Sequence, residues 1–363
     1  MKYIEVRENN KNKFEEFVNN NKYATCMQMW GWAEFRNEIE DNLYTRVGIV
    51  SDKSEFYLTA TYAIHRFNIL GKVLYIPQGP IWSNEKALTI FVRNIRKVAN
   101  QNNCFAVVCE PRVRKNDKRF NQLIDNKFKY TDEAVQPRDT VFIDLTKSEK
   151  ELMYSFSKST RYNIRYARKK GIVVKRYTSE KDVDRIDGFY KLIKKTQKRK
   201  YFYVQDKRYF VELWKKFSRN NQAILYEARY KGEVLGIIVV LYNNIWASSL
   251  FSSTTRKYAN LKPIYLARWE SIKDAKSIEC KIYDFFGATR SKDKKHPFYY
   301  TTQHKLGFGQ RVEEFAGTFE IVLDPFKYKL WRLLENQGIF RFYERTFLKL
   351  FNKKNVKKEI KRR

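Results

Sequence analysis

The chain repeats one order of apolar and polar patterns in its two halves. In the first half, MQMWGWAEFRNEI (residues 27–39) has helical spacing, and the β-rich runs YTRVGIV (44–50) and FYLTATYAI (56–64) flank a polar turn, SDKSE. The run VLYIP (73–77) predicts a strand, QGP a turn, EKALTIFVRNIRKVANQNN (85–103) a helix and FAVVCEP (105–111) a strand. In the second half, a helix through 182–199 places Val183, Ile186, Tyr190 and Ile193 on one face. The runs AILYEAR (223–229) and VLGIIVVLY (234–242) form a hairpin across YKGE. Strand IWASSLFSS (245–253), helix PIYLARWESIKDAK (263–276) and strand KIYDFFG (281–287) follow.

Helix, hairpin, strand, helix, strand is the order of the N-acetyltransferase-like (GNAT) fold, and its recurrence predicts an α+β chain of two tandem GNAT domains. Each would be a mixed, twisted sheet flanked by helices. We place the first at residues 1–144 together with 318–363, and the second at 145–317. A terminal helix through Trp331, Leu334, Phe342, Phe347 and Phe351 would pack back on the first domain. Between the halves, Thr146 and Glu149 have capping-box spacing for a helix that Gly171 ends, with Arg161, Arg165 and Arg168 as one basic stripe.

Charge adds a partner to this picture. Lys and Arg number 73 against 40 Asp and Glu, a net +33 over 363 residues, which suits a polyanion: nucleic acid, an anionic membrane surface or a phosphorylated small molecule. With 43% hydrophobic and 16% aromatic residues the chain can bury two cores. No signal peptide is evident, and the longest apolar run, Val234–Tyr242, is far short of the roughly 18 to 20 residues of a spanning helix, so a cytoplasmic protein is expected. Cys26, Cys104, Cys109 and Cys280 form no CxxC pair. As strand residues five apart, Cys104 and Cys109 should face opposite sides. With His65, His296 and His304 scattered, no metal site is expected.

Hydrolase, ATPase and dehydrogenase signatures (GxSxG, Walker loop, HExxH, GxGxxG) are absent. A coenzyme A user of this fold would carry a glycine-rich turn whose N–H groups hold pyrophosphate, but the two junctions read YIPQGPIW and STTRKYANLKPIY. The fold order suggests acyl transfer with another donor.

Several strings in one order carry a resemblance: QMWGWAEFR, YIPQGPI, QPRDTVFIDL, SFSKSTRYNIRYARKKGI, FYKLIKKTQKRKYF, NLKPIYLARWESIKDAK, YDFFG and KLGFG, spread over most of residues 25 to 320. Together they resemble the FemABX peptidoglycan cross-bridge aminoacyltransferases. The resemblance implies transfer of an amino acid from aminoacyl-tRNA, a co-substrate in place of any cofactor, to the stem peptide of a peptidoglycan precursor, lipid II or its UDP-muramyl-peptide forerunner. The interval 182–213 leaves no room for the long helical arm of some members, so the chain resembles the armless form, with tRNA lying along Arg161, Arg165 and Arg168.

The same resemblance implies site residues. Arg36 would contact the precursor's diphosphate, for which a planar guanidinium is suited. Arg199, Tyr203 and Tyr75 would also hold the precursor; the aspartate that often follows the YxPxGP segment is missing near Ser83. Lys305, before GFG, would stabilise charge during transfer. His304 stands where the family more often has an aromatic residue, and would either stack like that ring or accept a proton. A monomer is expected, with the basic tail after Asn352 touching anionic lipid or RNA. Two alternatives stay open: another cell-envelope acceptor, or an RNA-binding module without catalysis.

Overall fold

A computed structural model of the chain describes residues 1–67, 70–200, 204–296 and 298–336, with the side chains of 199, 200, 335 and 336 left out. It divides into two compact units, residues 1–136 with 315–363, and residues 137–314. The fold is the expected α+β pair of GNAT-like sheets, each flanked by helices.

The first unit is built on an eight-stranded sheet. Across it lie Lys2–Glu5, Tyr44–Val50, Phe56–Phe67, Gly71–Ile76, Cys104–Cys109, Thr318–Val322 and Lys129–Thr131, with the short Ile81–Trp82 beside Phe56–Phe67. Gly71–Ile76 and Cys104–Cys109 run parallel, joined by the helix Glu85–Gln101. That helix begins where the Asn84 side chain accepts the Ala87 N–H. It buries Leu88, Phe91, Val92 and Ile95 against Val47, Leu58, Leu74 and Val107. Each such side chain is worth about 1.5–3 kcal/mol of transfer free energy, which outweighs any propensity term in fixing the helix. The helix Pro325–Asn336 closes the opposite face: Trp331, fully buried, sits beside Phe67 and Phe105 at 6.4 and 5.6 Å. The rest of the expected terminal helix and the basic tail lie outside the described residues.

Three differences from the sequence reading have physical causes. The strand Asp139–Asp144, expected in the first domain, is hydrogen-bonded into the second sheet between Val312–Glu314 and Ile282–Asp284. Cys104 and Cys109 belong to the same core cluster, because a register irregularity beside Cys104 shifts the alternation by one; all four cysteines are buried and free. The single helix expected after Thr146 is two, Glu149–Ser155 and Lys158–Lys169. Thr146 turns onto Asp144 instead, and the caps are Ser148, in a capping box with Glu151, and Ser157. The residues around His304 and Lys305, to which the sequence reading assigned no element, form a helix, Tyr299–Leu306. Gly171, with φ of +81°, ends the second helix as expected.

The second unit carries a seven-stranded sheet: Val312–Glu314, Asp139–Asp144, Ile282–Asp284, Trp246–Thr254, Glu233–Tyr242, Ala223–Tyr230 and Val173–Tyr177. Trp246–Thr254 and Ile282–Asp284 are its parallel pair, joined by the helix Pro263–Ser277, whose proline opens the first turn. No helix among the described residues is long and apolar enough to cross a membrane.

Candidate functional site

The parallel strands of the second unit stay paired for three residues only: Trp246 with Ile282, Ala247 with Tyr283, Ser248 with Asp284. Trp246–Thr254 then continues, while the other chain turns away through Phe286 and Gly287, at φ of +48° and +77°. A non-glycine residue in the left-handed region is held there by something. Here it is Asp284, fully buried, whose Oδ1 accepts the Phe286 N–H at 2.8 Å and the Thr140 hydroxyl at 2.5 Å. The open side of an α/β sheet, beyond the carboxyl ends of parting strands, is where ligands usually bind.

Lys305 serves this turn. From the helix Tyr299–Leu306 its ammonium donates to the carbonyl of Phe286 at 2.8 Å and to that of Gly287. Burial, and secondarily the charge of Arg268, push its pKa down to about 7, partly offset by Asp284. The glycines of KLGFG make this approach possible. A Cβ on Gly307 would strike the Thr160 hydroxyl, and one on Gly309 would strike Val141 and lie 2.7 Å from the Phe142 carbonyl oxygen. We expect Gly309→Ala to lose about 1–3 kcal/mol in a urea melt, since the obstacle includes backbone. By contrast Gly188→Ala, in a helix interior with 3.6 Å to its nearest neighbour, should be neutral or gain up to about 1 kcal/mol. Similar losses at both positions would count against this packing account.

His304, a candidate proton acceptor, is placed as an aromatic ring. It meets Tyr265 edge-on at 4.6 Å and Phe308 at 5.4 Å, and its Nε2 is buried without a hydrogen-bond partner. Burial, with Arg268 and Lys305 nearby, pushes its pKa down to about 3, so it is neutral and a weak base. Arg268 was not singled out from sequence. It comes from the helix Pro263–Ser277, stacks on the Phe285 ring at 5.0 Å, and donates to Ser249 at 2.5 Å and Ser252 at 3.0 Å, both on the continuing strand.

The basic stripe is less open than its spacing suggested. Arg161 turns back to the carbonyls of Tyr154 and Phe156, and Arg168 pairs with Glu270 at 3.0 Å. Arg165 is exposed.

In the first unit, Arg36 is buried and its guanidinium faces inward. It is paired with Glu40 and lies over Tyr44 at 5.3 Å and over Trp32 and Phe35 at 5.9 Å each, so its charge is already met by a carboxylate. Tyr75 is buried and donates to Glu110 at 2.5 Å, while Gln136 donates to the Tyr75 oxygen at 3.2 Å. Glu110 also accepts the N–H groups of Val135 at 2.6 Å and Gln136 at 3.2 Å, and burial pushes its pKa up to about 7. The QGP turn is fixed by Gln28, which donates to the Pro77 carbonyl and accepts the Thr61 N–H. Its amide lies 2.7 Å from where a Cβ on Gly79 would stand. Arg199 falls in the helix Arg185–Lys200, but its side chain, like the whole of Tyr203, lies outside the described residues.

The comparisons with known proteins agree with this architecture. The chain is 21% identical to a lipid II:glycine glycyltransferase of Staphylococcus haemolyticus, over 87% of the chain and 92% of that protein. It is 26% identical to the lipid II:glycine glycyltransferase of Staphylococcus aureus over 58% of the chain, a match spanning about half (52%) of that relative's length. The crystal structure of FemX superposes with a TM-score of 0.83 at 18% identity, over 92% of this chain and all of that one. The structure of L-PGS from Bacillus licheniformis shares the fold at a TM-score of 0.54 and 11% identity, over 86% of this chain and 92% of that one. The FemAB family profile matches residues 10–131, 126–231 and 226–336, which together cover most of the 363 residues, and the protein belongs to the FemAB family.

Proposed function

We propose that the chain transfers an amino acid from aminoacyl-tRNA to the stem peptide of a peptidoglycan precursor, at the cytoplasmic face of the membrane. The observation that carries this reading is Lys305, an ammonium fixed at the turn where the parallel strands part. The relatives, lipid II:glycine glycyltransferases, point to the acceptor class.

In this reading the precursor's amine attacks the ester carbonyl of the charged tRNA. A C–N bond forms, the carbonyl oxygen takes up negative charge, and the C–O bond to the terminal ribose then breaks. The amine gives up a proton and the departing ribose hydroxyl gains one. Two of the three Lys305 N–H groups are spent on the turn carbonyls. The third is available to the oxyanion, where a donor placed in advance is worth more than one recruited from water. In this reading Arg36 and Tyr75, buried against Glu40 and Glu110, hold the first unit together, and Arg165 is the exposed member of the basic stripe that we assign to tRNA.

The test is transfer of a radiolabelled amino acid from a panel of charged tRNAs to lipid II and, separately, to UDP-muramyl pentapeptide. We expect label on one acceptor, abolished by RNase. Absence of transfer to both across the panel would overturn the reading.

A further inference from the structure

Arg268 is a buried charge whose partners are all neutral. It is 3% exposed, and its partners among the described residues are the Ser249 and Ser252 hydroxyls and the Phe285 ring; its Nε meets no acceptor. The carboxylates on its own helix are engaged elsewhere: Glu270 with Arg168 and Lys273, Asp274 with Arg176. Arg36, equally buried, shows the ordinary solution, a carboxylate against the guanidinium. Burying a charge without a counter-charge is costly, and a fold tolerates it where a ligand brings the opposite sign.

Arg268 bears on the same turn as Lys305. One stacks on Phe285, and the other binds the carbonyls of Phe286 and Gly287. The carboxylate at this turn, Asp284, holds the Thr140 hydroxyl and the Phe286 N–H through Oδ1, and its charge acts on Lys305. Two cations therefore face one acid beside an opened pair of strands, with the neutral His304 ring alongside. The neighbouring strand Asp139–Asp144 brings Asp139, which is taken by Arg138 and Arg290. Ser252, one of the two hydroxyls that hold the guanidinium, belongs to an exposed residue, so the buried charge lies one side chain from the surface. The lowered proton affinity of Lys305 and His304, each traced in part to Arg268, is consistent with one shared positive field.

We propose that Arg268, in the positive field it shares with Lys305, is the receptor for a phosphate-class oxyanion, seated where the parallel strands of the second unit part, with its unpartnered Nε as the donor. The transfer reading assigns that anion to the donor's terminal nucleotide. The receptor itself is read from binding rather than turnover, so its failure and that of the transfer reading are separable.

The experiment is thermal unfolding of the full chain at constant ionic strength, titrated with inorganic phosphate and, in a second arm, with adenosine 5′-monophosphate. Because a chain of net +33 gathers phosphate generally, the readout is the difference between variants. The parent and Arg268→Lys should show a saturable rise of about 2–4 °C at ten times the dissociation constant. Arg268→Gln should lose most of that rise, and Arg93→Gln, which removes an exposed cation, should keep it. A larger rise with the nucleotide assigns a nucleotide-borne anion; equal rises assign a free one. An undiminished rise in Arg268→Gln, or no saturable rise in the parent, overturns the proposal. Should Arg268→Gln fail to fold, Lys305→Met carries the same comparison.

Discussion

Replacing Lys305 by methionine lowers the rate of transfer by about 10²–10³-fold, the usual cost of one lost oxyanion donor, with little change in the KM for the acceptor. The pH profile distinguishes this from a folding defect. Because burial and Arg268 hold the Lys305 pKa near 7, transfer that needs the ammonium falls as pH rises through about 7. Lys305→Arg, whose guanidinium stays charged, should lack that falling limb. Stability moves the other way. The unfolded lysine keeps its proton up to about 10.5 and the folded one releases it near 7, so the parent gains stability as pH rises between those values. Lys305→Met, with no buried charge, should lack this slope. Full activity in Lys305→Met, or a loss that tracks its melting temperature, would remove Lys305 from the chemistry.

Glu110→Ala should cost roughly 3 kcal/mol, because it strands the N–H groups of Val135 and Gln136 and the Tyr75 hydroxyl, at about 1 kcal/mol or more each. Glu110→Gln retains an acceptor and should cost less. The pair also differs from the parent in pH response. With its folded pKa raised to about 7 from 4.5, Glu110 holds a proton in the folded state that the unfolded chain has released. Its contribution is therefore present below about 4.5 and lost as pH rises to about 7. Denaturant melts at pH 5 and 8 should show that decline in the parent and its absence in Glu110→Gln. A parent stability that rises over this window by the same amount as the variant's would contradict the assignment.

What the sequence disclosed and what it hid divide along physical lines. Element order was legible because period-2 and period-3.6 patterns are local: the hairpin through Gly232 and the helix at Pro263 stand where the pattern put them. Pairing partners are not local, so nothing near Asp139–Asp144 announced that its neighbours would be Ile282–Asp284 and Val312–Glu314. The run TKSEKELMYSFSKST offers several hydroxyl caps, and Ser148 and Ser157 won over Thr146. Lys305 was found through the GFG beside it, whose glycines the close approach to Thr160, Val141 and Phe142 requires. Glu110 and Arg268 were missed because charged letters read as surface. Their signal lay in the company they keep: Leu266, Ala267, Trp269 and Ile272 around Arg268, and a wholly buried strand before Glu110.

The first unit is discontinuous, and this orders events during synthesis. Thr318–Val322 lies inside its sheet, between Cys104–Cys109 and Lys129–Thr131, yet is made after the whole of the second unit. At about 5–20 residues per second, roughly 180 intervening residues take about 10–35 seconds. For that interval the nascent first unit waits with one edge of Cys104–Cys109 unpaired, while the contiguous second unit has everything its sheet needs as soon as it leaves the ribosome. The later half of the chain can thus mature first, and the earlier half stays the more exposed to chaperones and to edge-to-edge association.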